Sequence, residues 1–69
     1  MIWERKGDTF TATVETVAGG VRFDLTVERA SARSWDWTVW HPGKPPGLAR
    51  YGSARTAQVA MMAAEVAAS

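Results

Sequence analysis

The sequence predicts an α+β fold: a four-stranded antiparallel β-meander followed by one C-terminal alanine-rich helix, in the order β-β-β-β-α. Three observations predict it. Residues on either side of Ala18-Gly19-Gly20 alternate apolar and polar side chains, the period of two that a half-buried hairpin requires. Trp35-Asp36-Trp37-Thr38-Val39-Trp40 alternates again, ahead of a Pro/Gly-rich loop and a short strand ending at Gly52. From Ala54 to Ala68 almost every residue favours helix.

Taken in order, Thr9 to Val17 places Phe10, Ala12 and Val14 on one face and Thr9, Thr11, Thr13 and Glu15 on the other. Such β-branched residues suit a strand with one buried face. The paired glycines that follow supply the positive φ angles of a tight hairpin. Val21 to Arg29 then turns Val21, Phe23, Leu25 and Val27 inward and Arg22, Asp24, Thr26 and Glu28 outward. Ala30 to Ser34 is a short polar connection. In the third strand Trp35, Trp37 and Val39 share the inner face, leaving Asp36, Thr38 and Trp40 outside. Three prolines between His41 and Gly47 remove ladder donors, so this stretch reads as a wide hairpin loop. Leu48 to Gly52 forms the fourth strand, with Ala49 and Tyr51 expected inward. Ser53 is the expected helix N-cap, with Thr56 as the alternative one turn later.

At 100° per residue, Gln58, Glu65 and Arg55 fall on one side of this helix, from about Ser53 to Ala67. Opposite them lie Thr56, Ala60, Ala63, Ala64 and Ala67. A flat alanine face lets the helix approach the sheet closely, and Trp35 and Trp37 are expected against Ala60 and Ala64 to supply the missing volume.

Sixty-nine residues make a single small domain, 1–69, near the lower limit for a self-sufficient core. With no cysteine, neither disulfides nor thiolate metal sites are available. A zinc site would need three oxygen ligands beside the single histidine, His41, so no metal or other cofactor is expected. The first eight residues carry charges where a signal peptide needs an apolar stretch, and no run reaches transmembrane length. A cytoplasmic protein without membrane contact is therefore expected, and the excess of arginine over lysine together with abundant alanine suggests a bacterial source. A net charge of +1 gives no electrostatic case for nucleic acid.

No constellation joins a nucleophile, a base and a charge-stabilising group, so the chain is expected not to be an enzyme. His41 precedes Pro42 in a loop with no motif around it and reads as a solvated loop histidine. Glu15, Asp24, Glu28 and Asp36 fall on the outward, water-exposed sheet face among Thr11, Thr13, Thr26 and Thr38. Pro42-Gly-Lys-Pro45 matches PxxP, but its glycine and the flanking strands demand a turn instead of an extended ligand. The remaining anomaly is apolar. Val59, Met62 and Val66 make a stripe at i, i+3, i+7 along the helix edge, and Trp3 is a candidate to join it. Two readings stay open: a contact surface for an unknown protein or a second copy in a homodimer, or a stripe covered within the chain by Ile2 and Trp3.

Trp35-Asp-Trp-Thr-Val, a turn, Ala49-Arg-Tyr-Gly-Ser53, Thr56-Ala57 and the alanines at 60 and 64 resemble the sheet-then-helix half of AP2-type and integrase N-terminal DNA-binding domains. That resemblance covers roughly residues 35 to 66. It implies a sheet whose outer face enters the major groove, with Arg22, Trp40, Lys44 and Arg50 as the contacting residues here. Those families set arginines and tryptophans on the outward strands. This chain offers Arg22 and Arg50 there against four carboxylates, a balance that repels phosphate. The whole-chain pattern is also similar to short uncharacterised bacterial proteins with a β-sheet and a C-terminal helix, whose function is unknown. The residues therefore point first to a non-enzymatic protein acting through protein contacts, with a nucleic-acid-binding module as the alternative.

Overall fold

A computed structural model describes residues 2–15 and 20–68. It is an α+β arrangement of one antiparallel sheet and one C-terminal helix. The strands are β1 (Glu4–Lys6), β2 (Thr9–Glu15), β3 (Arg22–Ser31), β4 (Ser34–Trp40) and β5 (Arg50–Ala54), and the helix is α1 (Ala57–Ala68). Their order in the sheet is their order in the chain. The sheet thus has five strands, one more than expected.

The additional strand is the charged N-terminal stretch. Gly7 has φ +63°, and Gly7-Asp8 forms a two-residue turn that returns Lys6 onto Thr9 and Glu4 onto Thr11. Glycine first in a two-residue turn is a recognised hairpin requirement. The Asp8 carbonyl accepts the Arg29 amide at 3.1 Å, tying this turn to β3. Short, charged strands suit a sheet edge because they discourage further pairing, and Glu4, Arg5 and Lys6 are all exposed. The expected glycine turn between β2 and β3 lies mostly outside the described residues; Gly20 itself has φ +63°.

Registers assign the faces. Phe10, Ala12 and Val14 align with Val27, Leu25 and Phe23, and Leu25 and Val27 align with Val39 and Trp37. These residues form the helix-facing side, as the alternation predicts. Ala30 is accommodated at an irregularity between Arg29 and Ser31, so β3 continues further than its alternating pattern suggests.

The phase of β5 is the reverse of the expectation. Val39 pairs with Arg50, Trp37 with Gly52 and Thr38 with Tyr51. Arg50 and Gly52 therefore face the helix, and Tyr51 stands on the open face, 81% exposed. The physical reason is the Trp37 indole, which lies over Gly52. A Cβ at position 52 would sit 2.7 Å from Trp37 Cζ2. Only a residue without a side chain permits this approach.

The helix begins later than Ser53. Thr56 is its cap: the Val59 amide donates to Thr56 Oγ1 at 3.2 Å and the Ala60 amide to the Thr56 carbonyl at 3.0 Å. Ser53 remains in β5, its hydroxyl donating to Asp36 at 2.8 Å. Ala60, Ala64 and Ala68 form the buried line of α1, and Leu25, Val27 and Val39 are buried beneath the helix layer. Large side chains surround this small-residue centre. Trp3, Val14, Phe23 and Trp37 pack against the core that contains Ala64. Trp35, also on the helix-facing side, is half-buried with its ring centroid 6.0 Å from that of Phe10. Trp37 is also half-buried instead of enclosed.

Gly52→Ala is expected to displace Trp37 and cost about 1–3 kcal/mol, as overpacking does elsewhere. Gly47→Ala, where a Cβ meets nothing within 4 Å, should leave the urea midpoint within about 0.5 kcal/mol of the parent. Equal midpoints for the two variants would contradict the Trp37–Gly52 contact.

Candidate functional site

Three regions carry the residues singled out by the sequence: the open sheet face, the loop after β4 and the outer side of α1. On the open face the registers align Thr11, Thr26, Thr38 and Tyr51 in one row across β2 to β5. The neighbouring row contains Thr9, Glu28, Asp36 and Ser53. Glu15, Asp24, Glu28 and Asp36 thus share the open face as expected, and the pairing of β1 with β2 adds Glu4 and Lys6 to it. Arg22 Nε lies 3.2 Å from Asp24 Oδ1, and Thr13 donates to the same oxygen at 3.4 Å. Such exposed pairs contribute little stability, but they occupy the arginine.

The residues of the nucleic-acid alternative are not brought together. Arg22 and Trp40 are on the open face. Lys44 is in the loop, where its carbonyl accepts the Trp40 indole N–H at 3.1 Å. Arg50 lies on the helix side, donating to the Ala67 carbonyl at 3.3 Å. It satisfies a carbonyl of the last helical turn, where a cation also complements the helix dipole. Its removal leaves Lys6 and Arg22 as the cations on the strands of the open face, against five carboxylates.

The loop is ordered by its own backbone. Gly43 has φ +94°, the Lys44 amide donates to the His41 carbonyl at 3.1 Å, and a 3-10 turn spans Pro46–Leu48. His41 is not the solvated side chain expected. It is half-buried, its Nδ1 lies 2.9 Å from the Arg22 carbonyl oxygen, and its ring centroid is 5.7 Å from that of Phe23. A carbonyl can only accept, so Nδ1 carries the hydrogen in this contact. The ring ties the end of β4 to the start of β3.

On α1 the stripe is present. Val59, Met62 and Val66 are 53%, 59% and 74% exposed. With Trp37, Ala63 and Ala67 they line a shallow, open and predominantly apolar groove. Trp3 does not join them. Its indole N–H donates to Glu65 Oε2 at 2.9 Å, and its ring packs on the core at another flank of the helix. Ile2 is 84% exposed. Trp37 is the groove residue that the sequence reading missed. Its signal was the glycine two residues before Ala54, which frees space for an indole leaning across β5.

No group of three or more His, Cys, Asp or Glu side chains placed to hold a metal ion occurs among the described residues, nor is any helix there long and apolar enough to cross a membrane. No family model, curated protein or solved structure matches the chain.

His41→Ala should lower stability by about 0.5–1.5 kcal/mol, the usual net value of one hydrogen bond. A urea midpoint identical to the parent would show that the Arg22 contact contributes nothing. Duplex DNA should not be retained at physiological salt. Micromolar binding that weakens with salt and is lost in Arg22→Ala would place phosphate on the open face after all.

Proposed function

We propose that this chain is a non-enzymatic protein-interaction module whose contact surface is the outer side of α1. The observation that carries the reading is the exposed groove of Val59, Met62 and Val66 beside Trp37. An isolated exposed apolar residue is ordinary on a protein surface. Three in helical register, continuous with a half-buried tryptophan, form a patch of the kind that marks contact sites. Its composition also fits: methionine and aromatic residues are enriched in interface centres, where charged residues are depleted.

The other regions support the same reading by what they are committed to. His41 is engaged by a backbone carbonyl and an aromatic ring. The carboxylates stand on an open sheet face, where nothing encloses a substrate or excludes water. Phosphate recognition is opposed by the same carboxylates, and Arg50 is turned toward the helix.

A photo-crosslinking residue at position 62, expressed in the cells the protein comes from, tests the surface directly. Covalent protein adducts are expected from position 62 and not from position 26, on the open sheet face. Adducts confined to position 26, or none at position 62, would overturn the proposal.

A further inference from the structure

We infer that the partner at the α1 surface docks as an extended strand, added to the free edge of β5, with alternate apolar side chains in the groove and acidic residues at its ends. The inference rests on the reading of that surface as a protein contact and names the partner's chemistry.

The sheet edge is the first argument. β5 is the last strand of the sheet and pairs with β4 alone. Among the described residues, no backbone bond formed outside the ladders and the helix involves residues 50–54. The amides and carbonyls along the outer side of β5 are therefore a template for another strand. The two edges of the sheet differ in this respect. β1 is three residues long and charged throughout. β5 runs Arg50-Tyr51-Gly52-Ser53-Ala54, with no proline and a single charge, at its first position. Devices that discourage pairing mark the first edge and are missing beyond the start of the second.

The groove is the second argument. Trp37 lies over Gly52 on the helix-facing side of β5, and it also lines the groove with Val59 and Val66. The Trp3 indole bonds to Glu65 on a different flank of α1. Position 65 is two residues from both 63 and 67, about 200° around the helix from each. The groove therefore opens above β5, beside its free edge. In an added strand every second side chain points to the helix side, where it meets Trp37, Val59 and Val66. Main-chain bonds then supply affinity, and the groove selects the alternate side chains, as in other cases of strand addition. A helix laid in the groove would leave the β5 edge unpaired.

Charge is the third argument, and it discriminates between partners. Arg50 begins β5 and Arg55 follows it, and both are exposed. Among the described residues, no carboxylate lies within salt-bridge distance of either. Arg50 donates to the Ala67 carbonyl and keeps its charge beside the groove. Asp36, bonded to Ser53, stands on the open face. Both ends of the edge thus complement carboxylates. A second β5 in this place would set arginine against arginine.

Five residues of β5 span about 17 Å, so a short peptide covers the edge. The probe is a peptide of alternating valine and threonine with an aspartate at each end, blocked at both termini. Titrated into the isotope-labelled chain, it is expected to shift the amides of residues 50–54 together with those of Val59, Ala63 and Val66. Nuclear Overhauser contacts from its backbone to β5 should follow the pattern of a sixth strand. Lysine in place of aspartate should weaken binding about threefold at low salt, and Arg55→Glu should reverse that preference. N-methylation of the peptide amides keeps the side chains and is expected to weaken binding about tenfold by removing the ladder donors. Shifts confined to α1, equal binding by the N-methylated peptide, or no shift at millimolar peptide overturns strand addition. Equal binding by the lysine-ended peptide overturns the acidic partner. The crosslinking experiment at position 62 separates the two levels. Adducts there without peptide pairing at β5 remove the extended occupant and leave the contact surface standing. The absence of adducts removes the contact surface itself.

Discussion

The indole of Trp37 lying across Gly52 is the contact on which the placement of β5 depends. Its ring fills the space a side chain at position 52 would occupy, so β4 and β5 pair with Trp37 opposite glycine. Because side chains alternate along a strand, fixing one position fixes the others. Arg50 is carried under the end of the helix, where it reaches the Ala67 carbonyl, and Tyr51 is carried to the far side of the sheet. Shifting the pairing by one residue would exchange these roles and place an unpaired arginine among the open-face strands.

The same ring connects the core to the surface. Trp37 is half-buried: it packs on the core that includes Leu25, Val39 and Ala64, and it also lines the groove beside Val59 and Val66. A helix made largely of alanine cannot fill volume on its own. Trp3, Trp37 and Phe23 pack against the core that contains this alanine line and supply the volume. This division of size leaves valine and methionine on the outer side of α1, where they are not needed for the core.

Much of this was legible in the alternation of residues. Phe10, Ala12 and Val14 and their partners in β3 and β4 occupy the predicted face, since a period of two has only one way to bury its apolar set. The alanine line of α1 was legible for the corresponding reason at the helical period. What failed was local and geometric. Glu4-Arg5-Lys6 has no apolar pattern, because an edge strand need not bury a face, and Gly7-Asp8 was its one sequence signal. The phase of β5 was misread because Ala49 and Tyr51 are the apolar residues there. The register follows from space above Gly52, which hydropathy does not record. Hydrophobicity makes Trp3 a candidate either to join the stripe or to cover it, whereas its indole N–H gives it a specific partner in Glu65. The Val59, Met62 and Val66 stripe needed only helical spacing to be seen; that Trp37 lines the same groove follows from its packing over Gly52 in the pairing of β4 with β5.

Strand order equal to chain order has a consequence for how the structure assembles. Each ladder joins neighbours in sequence, so each can form by closing a short loop, and the entropy of closure grows only slowly with loop length. Pairings of this local kind favour rapid folding. The bond between Trp3 and Glu65 is different in kind, since it spans almost the whole chain. It can form only when both the first strand and the last turns of the helix are in place. Trp3 therefore reports the docking of the helix beside the N-terminal stretch. Its indole environment distinguishes a chain whose sheet has zipped together from one whose helix has also docked.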